Sequence, residues 1–456
     1  MINRIIEKAI NEFLERPVKE ALLVTGARQV GKTFTIRKCA QAHDYHFVEF
    51  NLIKDTDARK LFSEAKNSEE FFILFSALTN VPLIPGKTLI FFDEVQEVKE
   101  IVTAIKFLVE DGRFRYILSG SLLGVELKDI RSAPVGYLRI LEMFPLTFFE
   151  FCSANNVSDS VMEHIRQCFE EGKPVEELIH QRFLDLFYLY LIVGGMPAAV
   201  DCFLQEKNIR NVSQIQQSIN KLYLQDIAKY DPDEKLYLKD IYELIPSELN
   251  AKNKRFILKN LNENFKFNRF QNSFLWLKDA GVALPTFCAA EPVRPLRLSK
   301  STNLFKLFLC DVGLLCNLYA DGIQLSLLKK ELDINYGAIF ENAVAQQLHA
   351  AGFALYYFNS KKQGEIDFLL EYENCVIPIE VKSGKTYQRH NALTSLLSNE
   401  DYQIPYAYVF SCENVEFKSK VRYCPIYMLG FLQRQKSLPD EVYDLDLSVL
   451  QKDFPN

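Results

Sequence analysis

Eight residues, Gly26-Ala27-Arg28-Gln29-Val30-Gly31-Lys32-Thr33, constrain this chain more than any others. They follow the phosphate-binding pattern of Gly, four residues, then Gly-Lys-Thr. The apolar run Ala21-Leu22-Leu23-Val24 leads in as a buried strand would, and Phe34 to Ala40 can continue as a helix. Glycines let the backbone turn so that successive N–H groups converge on phosphate oxygens. Lys32 would then reach the outer phosphates, Thr33 would offer its hydroxyl to Mg²⁺, and the helix N-terminus would favour the anion. A chance glycine-rich turn is the alternative, and a strand before and a helix after argue against it.

A second run completes that chemistry. Leu89-Ile90-Phe91-Phe92-Asp93-Glu94 reads as an all-apolar strand ending in two acids. Such a strand belongs in a parallel sheet covered on both faces, with ligands at its carboxyl end. Asp93 is placed to hold Mg²⁺ through water, and Glu94 to take a proton from an attacking water. Val48–Leu52 and Arg115–Leu118 read as further strands, and Ser119-Gly120-Ser121 after the latter could sense the outermost phosphate. Ile2 to Leu14 has the spacing of an amphipathic helix ending near Pro17, and Phe71–Leu78 reads as another helix.

At 456 residues the chain has room for two to four domains of about 150 residues. Ten cysteines without a Cys-x-x-Cys pair indicate reduced thiols in a cytoplasmic protein and give no zinc signature. Charges interrupt every apolar run before membrane-spanning length, and no signal-peptide core opens the chain.

Residues 157–230 have helical periodicity, broken by Gly194-Gly195-Met196-Pro197. That break marks either a purposeful turn or a plain helix–helix connection. Beyond Asp233, three short helical patterns (238–244, 256–261 and 270–280) precede an extended stretch and Phe305–Leu309, an order that fits a winged helix. Between Lys252 and Lys306 stand eleven Lys or Arg against three Asp or Glu, in a chain of net charge −6. This surplus is either a DNA-backbone footprint, with Arg269, Gln271, Asn272 and Ser273 as contacts, or a solvated basic surface.

The last part carries a second constellation. Glu341 lies in an amphipathic helical pattern, Asp367 in the strand pattern Glu365–Leu370, and Glu380 and Lys382 alternate on Val376–Lys382. Asp367, Glu380 and the Val381 carbonyl could hold Mg²⁺, with Lys382 orienting a water. The set resembles the PD-(D/E)xK nuclease core, whereas Glu-x-Lys alone is a common cross-strand ion pair.

Taken together, GARQVGKT, FFDEVQEV, Gly-Gly-Met-Pro, FLCDVGLL, GEIDFLL and IEVKSGK make Met1 to about Gly430 resemble the bacterial and archaeal AAA-superfamily ATPases with a C-terminal DUF4143 region. The resemblance implies an α/β fold: a P-loop parallel-sheet core (1–151), a helical lid (152–232), a winged helix (233–322) and a restriction-endonuclease-like domain (323–456). It implies ATP with Mg²⁺ as cofactors, Phe34 and Pro197 beside the nucleotide, Glu341, Asp367 and Glu380 as metal ligands, and Glu94, Lys32 and Lys382 as catalytic residues. Relatives carry Gly-Arg before the Pro-Leu-x-Phe-x-Glu-Phe segment. Here Tyr137 follows Gly136, leaving Arg131, Arg139 and Arg115 as candidates for a trans-acting arginine. Two functions stay open: an ATPase, DNA-associated and capable of self-assembly, that governs a Mg²⁺-dependent nuclease domain, or a nucleotide switch with an inert nuclease fold. A small-molecule kinase would need a separate acceptor pocket.

Overall fold

The computed structural model describes residues 2–16, 19–121, 136–230, 235–251, 254–256, 274, 276–319, 322–331, 336–384 and 386–434. The first sheet contains β1 (Ala21–Thr25), β2 (His46–Asn51), β3 (Thr88–Asp93), β4 (Arg115–Gly120) and β5 (Leu138–Glu142). Their order is β2-β3-β4-β1-β5, and every pairing is parallel. Alternation along β1 shows how two faces are buried at once. Leu22 and Val24 enter one core with Ile10 and Ile36, while Ala21 and Leu23 enter another with Phe50 and Phe92.

Helices α1 (Ile6–Glu15) and α2 (Lys32–Gln41) contribute to the first of these cores. Helices α3 (Thr56–Glu64), α4 (Ser68–Leu78) and α5 (Lys99–Asp111) contribute to the second. In the second core Phe50, Phe62, Phe75 and Phe92 pack as rings with centroids 5.1–6.0 Å apart. Helix starts follow local chemistry. Asp55 and Asn67 accept from the N–H groups of Ala58 and Glu70, and Thr147 with Glu150 forms a reciprocal capping box on α6 (Phe148–Ala154).

The helical reading of 157–230 holds, as α7 (Asp159–Glu171), α8 (Glu177–Val193), α9 (Pro197–Glu206) and α10 (Ile209–Tyr230), with α11 (Lys235–Asn250) beyond. The second sheet joins β6 (Ala283–Ala289), β7 (Lys300–Leu309), β8 (Tyr356–Ser360), β9 (Gly364–Tyr372), β10 (Cys375–Val381), β11 (Ala407–Ser411), β12 (Glu416–Lys418) and β13 (Val421–Pro425). Its order is β12-β13-β11-β10-β9-β8-β6-β7. Helices α12 (Val312–Tyr319), α13 (Ile323–Leu328), α14 (Gly337–Ala350) and α15 (Asn391–Leu397) complete the described α-helices.

One sheet crosses the boundary read at residue 322. The β6–β7 ribbon, read from sequence as the wing of a unit ending at residue 322, pairs through β6 with β8 in parallel, Phe287 opposite Tyr356. An isolated two-stranded ribbon is marginally stable, and β8 supplies the third strand. Of the three-helix pattern, 238–244 lies in α11, whereas 257–261, 270–273 and 275, with Arg269, Gln271, Asn272 and Ser273, lie outside the described residues. The first core runs without interruption from β1 through α6–α11 to Phe368, Ile377 and Tyr408 of the second sheet.

Candidate functional site

The phosphate loop sits at the carboxyl end of β1, flanked by β4 and β5. Gly26 has φ +138°, and a side chain there would begin 2.1 Å from the Met143 carbonyl oxygen, so only glycine fits. Gly31, with φ +95°, starts α2. Lys32 is 7% exposed and donates to the Gly26 and Ala27 carbonyls, both at 2.9 Å. Burial pushes its pKa down to about 8, against the opposing pull of Glu94 and Asp93.

Asp93 gathers three donors. Thr33 reaches Oδ1 at 2.8 Å, Ser119 reaches the same oxygen at 2.5 Å, and Asn51 reaches Oδ2 at 2.8 Å. The Thr33 hydroxyl and the Asp93 carboxylate thus converge, and their oxygens are of the kind Mg²⁺ prefers. Glu94 is held at φ +59°, an uncommon backbone for a non-glycine residue, and accepts from Gln96 Nε2 at 2.6 Å. A cleft of about 570 Å³ opens over this arrangement, lined by Gln29, Thr33, Phe34, Glu94 and Pro197 among others. Phe34 is 56% exposed at the cleft. The Pro197 ring comes within 3.5 Å of where a Gly31 side chain would begin.

The structure adds residues that the sequence reading missed. Buried Arg4 donates to Glu150, to the Val30 carbonyl at 2.9 Å and to the Phe144 carbonyl at 2.6 Å, tying the loop to α6. Arg28 pairs with Asp226 of α10 at 2.6 Å, and Tyr223 donates to the Arg28 carbonyl at 2.9 Å. Only spatial proximity reveals these partners, since they lie 26 to 198 positions away. Among the arginine candidates, Arg115 begins β4 at the end away from the loop and donates to the Phe13 and Arg16 carbonyls. That contact anchors α1. Arg139 lies on β5, and Arg131 lies outside the described residues.

The Gly-Gly-Met-Pro break is a shaped turn. Gly194 adopts φ +71°, and a side chain there would meet Asp311 Oδ1 at 2.3 Å. Gly195 N–H donates to Asp311 Oδ2 at 2.6 Å, and Leu314 N–H donates to Oδ1 at 3.0 Å. Burial pushes the Asp311 pKa up to about 6, against the stabilising effect of these donors. Pro197 enters α9 directly after this turn, so Asp311 helps fix one wall of the cleft beside the loop.

The second constellation also assembles, with additions. The β9–β10 register continues from Phe368–Ile379 to bring Asp367 beside Glu380, and Lys382 Nζ lies 3.2 Å from Glu380 Oε2. Burial, with Asp367 alongside, raises the Glu380 pKa well above the usual carboxylate range. Glu341, 1% exposed, faces the cluster from α14. The Val381 N–H donates to Asp367 Oδ2 at 2.9 Å. Two lysines from the stretch read as basic surface point inward instead. Lys254 pairs with Glu341, and fully buried Lys306 lies 2.8 Å from Glu365, 3.5 Å from Glu341 and 3.9 Å from Asp367. No set of three or more His, Cys, Asp or Glu arranged to hold a metal occurs among the described residues. As they stand, these carboxylates do not fit a divalent ion, because ammonium groups already meet their oxygens.

Residues 18–152 match the family model of an AAA domain. Residues 184–327 and 336–429 match two domains of unknown function, DUF8612 and DUF4143. An uncharacterized protein of Methanocaldococcus jannaschii is 22% identical over 411 residues, covering 84% of this chain and 79% of the relative. The Walker-type ATPase of Pyrococcus abyssi has a TM-score of 0.41 at 14% identity, covering 70% of this chain and 96% of its own. The ORC2 protein of Aeropyrum pernix, solved with ADPNP and ADP, has a TM-score of 0.35 at 11% identity, covering 73% and 96%. No helix among the described residues is long and apolar enough to cross a membrane. The chain thus carries an AAA domain at residues 18–152 and a DUF4143 region at residues 336–429.

Proposed function

We propose that the chain is a nucleotide-driven switch: it binds and hydrolyses ATP in the loop cleft, and the nucleotide state acts through the lid on the C-terminal domain. The convergence of Lys32, Thr33 and Asp93 at the carboxyl edge of a parallel sheet carries this reading. Backbone N–H groups of residues 26–33 would hold the phosphates, and the Lys32 ammonium would turn from its loop carbonyls to the outer oxygens. Thr33 and Asp93 would hold Mg²⁺, which neutralises charge building on the transferred phosphoryl group. Glu94, kept in place by Gln96, would orient a water and accept its proton. Phe34 and Pro197 would flank the base. Turnover and nucleotide affinity of Lys32→Ala and Glu94→Gln test this. Loss of binding in the first, and retained binding without turnover in the second, are expected; unchanged behaviour in both would refute it.

DNA contact through residues 233–322, self-assembly and a cytoplasmic setting belong to the same proposal. DNA-stimulated ATP turnover tests the first, and the oligomeric state with and without nucleotide tests the second. A second reading, metal-dependent cleavage by the C-terminal domain, starts from the grouping of Asp367, Glu380 and Lys382 and requires the ammonium groups beside these carboxylates to give way to the ion. Cleavage that disappears in Asp367→Asn would support it over the inert fold.

A further inference from the structure

We infer that Lys306 is the resident cation of the C-terminal acid cluster, and that its ammonium keeps a divalent ion from Glu341, Glu365 and Asp367. The inference rests on the acid cluster named in the second reading above and counts against a resident metal there, on the side of the inert fold. Lys306 is 0% exposed, between buried Phe305 and Leu307 on β7. An ammonium taken that far from water is tolerated only when carboxylates surround it. Those carboxylates come from α14, at Glu341, and from β9, at Glu365 and Asp367. Lys254 and Lys382 add two more ammonium groups, on Glu341 and Glu380. Four carboxylates therefore face three lysines, which leaves little uncompensated negative charge to attract a divalent ion.

Steric exclusion points the same way. Mg²⁺ would need carboxylate oxygens at about 2.0–2.1 Å in near-octahedral geometry. The Lys306 nitrogen is already 2.8 Å from one such oxygen and 3.5 Å from another. Nor can it swing away freely. Lys306 pairs with Thr286 in the β6–β7 ladder, and three residues on Leu309 exchanges hydrogen bonds with Asn342 at 2.8 and 3.1 Å. Asn342 follows Glu341 on α14, so lysine and acid are held in fixed register.

Mn²⁺ titration of the full chain without nucleotide, followed by electron paramagnetic resonance of the free ion, tests the assignment. The unaltered chain should leave Mn²⁺ free into the millimolar range. Lys306→Met should take up one Mn²⁺ per chain at least about tenfold more tightly, with a rise in melting temperature on adding metal, and the added Asp367→Asn should abolish both. Lys306→Arg, which keeps the cation, should leave Mn²⁺ free. Should Lys306→Met fail to fold, Lys306→Gln carries the same comparison. One Mn²⁺ bound by the unaltered chain and lost in Asp367→Asn would overturn the role given to Lys306 while leaving the metal-dependent reading standing. No uptake by the unaltered chain or by any foldable Lys306 variant lacking the cation would overturn both.

Discussion

The depressed Lys32 pKa makes nucleotide affinity depend on pH in a calculable way. With a value near 8 in the free protein, about 90% of Lys32 is charged at pH 7 and about 10% at pH 9. A bound triphosphate restores the charged form by supplying the missing counter-charge. Binding at pH 9 should therefore take up about 0.9 proton, and affinity should fall about tenfold between pH 7 and 9, or about 1.4 kcal/mol. The sign for stability is opposite. Below pH 8 the buried ammonium destabilises the fold, and that cost fades as the folded protein loses its proton between pH 8 and the unfolded value near 10.5. Calorimetric titration with ADP above pH 7.5, where its phosphates are fully ionised, in two buffers of different ionisation enthalpy, separates the proton from the ligand. Lys32→Arg, charged throughout, should lose the pH slope. An affinity constant from pH 7.5 to 9.5, with no buffer dependence, would refute the reasoning.

Three further outcomes are expected. Phe34→Ala removes a half-exposed ring beside the cleft, so ATP affinity should drop about three- to tenfold, with the denaturant midpoint nearly unchanged. Gly195→Ala would set a methyl 2.2 Å from the Leu146 carbonyl oxygen, and urea unfolding should register a loss of about 2–4 kcal/mol. Asp93→Asn leaves the loop amides intact but removes the charge beside Thr33. Metal-free nucleotide binding should persist while Mg²⁺-dependent turnover falls about a hundredfold or more, and full turnover would exclude Asp93 from holding the ion.

The loop and the acid-ended strand beside it were legible in the sequence because their parts are contiguous: eight residues make the loop, and two acids end one apolar strand. Unbroken apolar runs likewise made β1 and β3 readable. The junction of β6 with β8 was not, since Phe287 and Tyr356 are distant in sequence and parallel pairing leaves no local signature. The acid cluster was half readable. Alternation located Glu380 and Lys382, but the partners of Lys306 come from two other elements. A lone lysine inside Leu304–Leu309 was the available clue, because a charge in an otherwise apolar strand needs counter-charges. Counting charge by stretch concealed this, as Lys254 and Lys306 are neutralised internally.

Helix α14 presents three buried amides to three different elements. Asn342 holds the end of β7, Gln346 accepts from Val312 N–H at 2.9 Å, and Gln347 accepts from Phe148 N–H at 3.0 Å. Both glutamines also donate to the Tyr190 hydroxyl at 2.9 Å. Cutting the chain between its recognisable modules would strand these donors and acceptors without water or partner. Neither the ATPase core nor the C-terminal sheet is then a portable cassette, and shuffling one onto a foreign scaffold would require carrying its complement along.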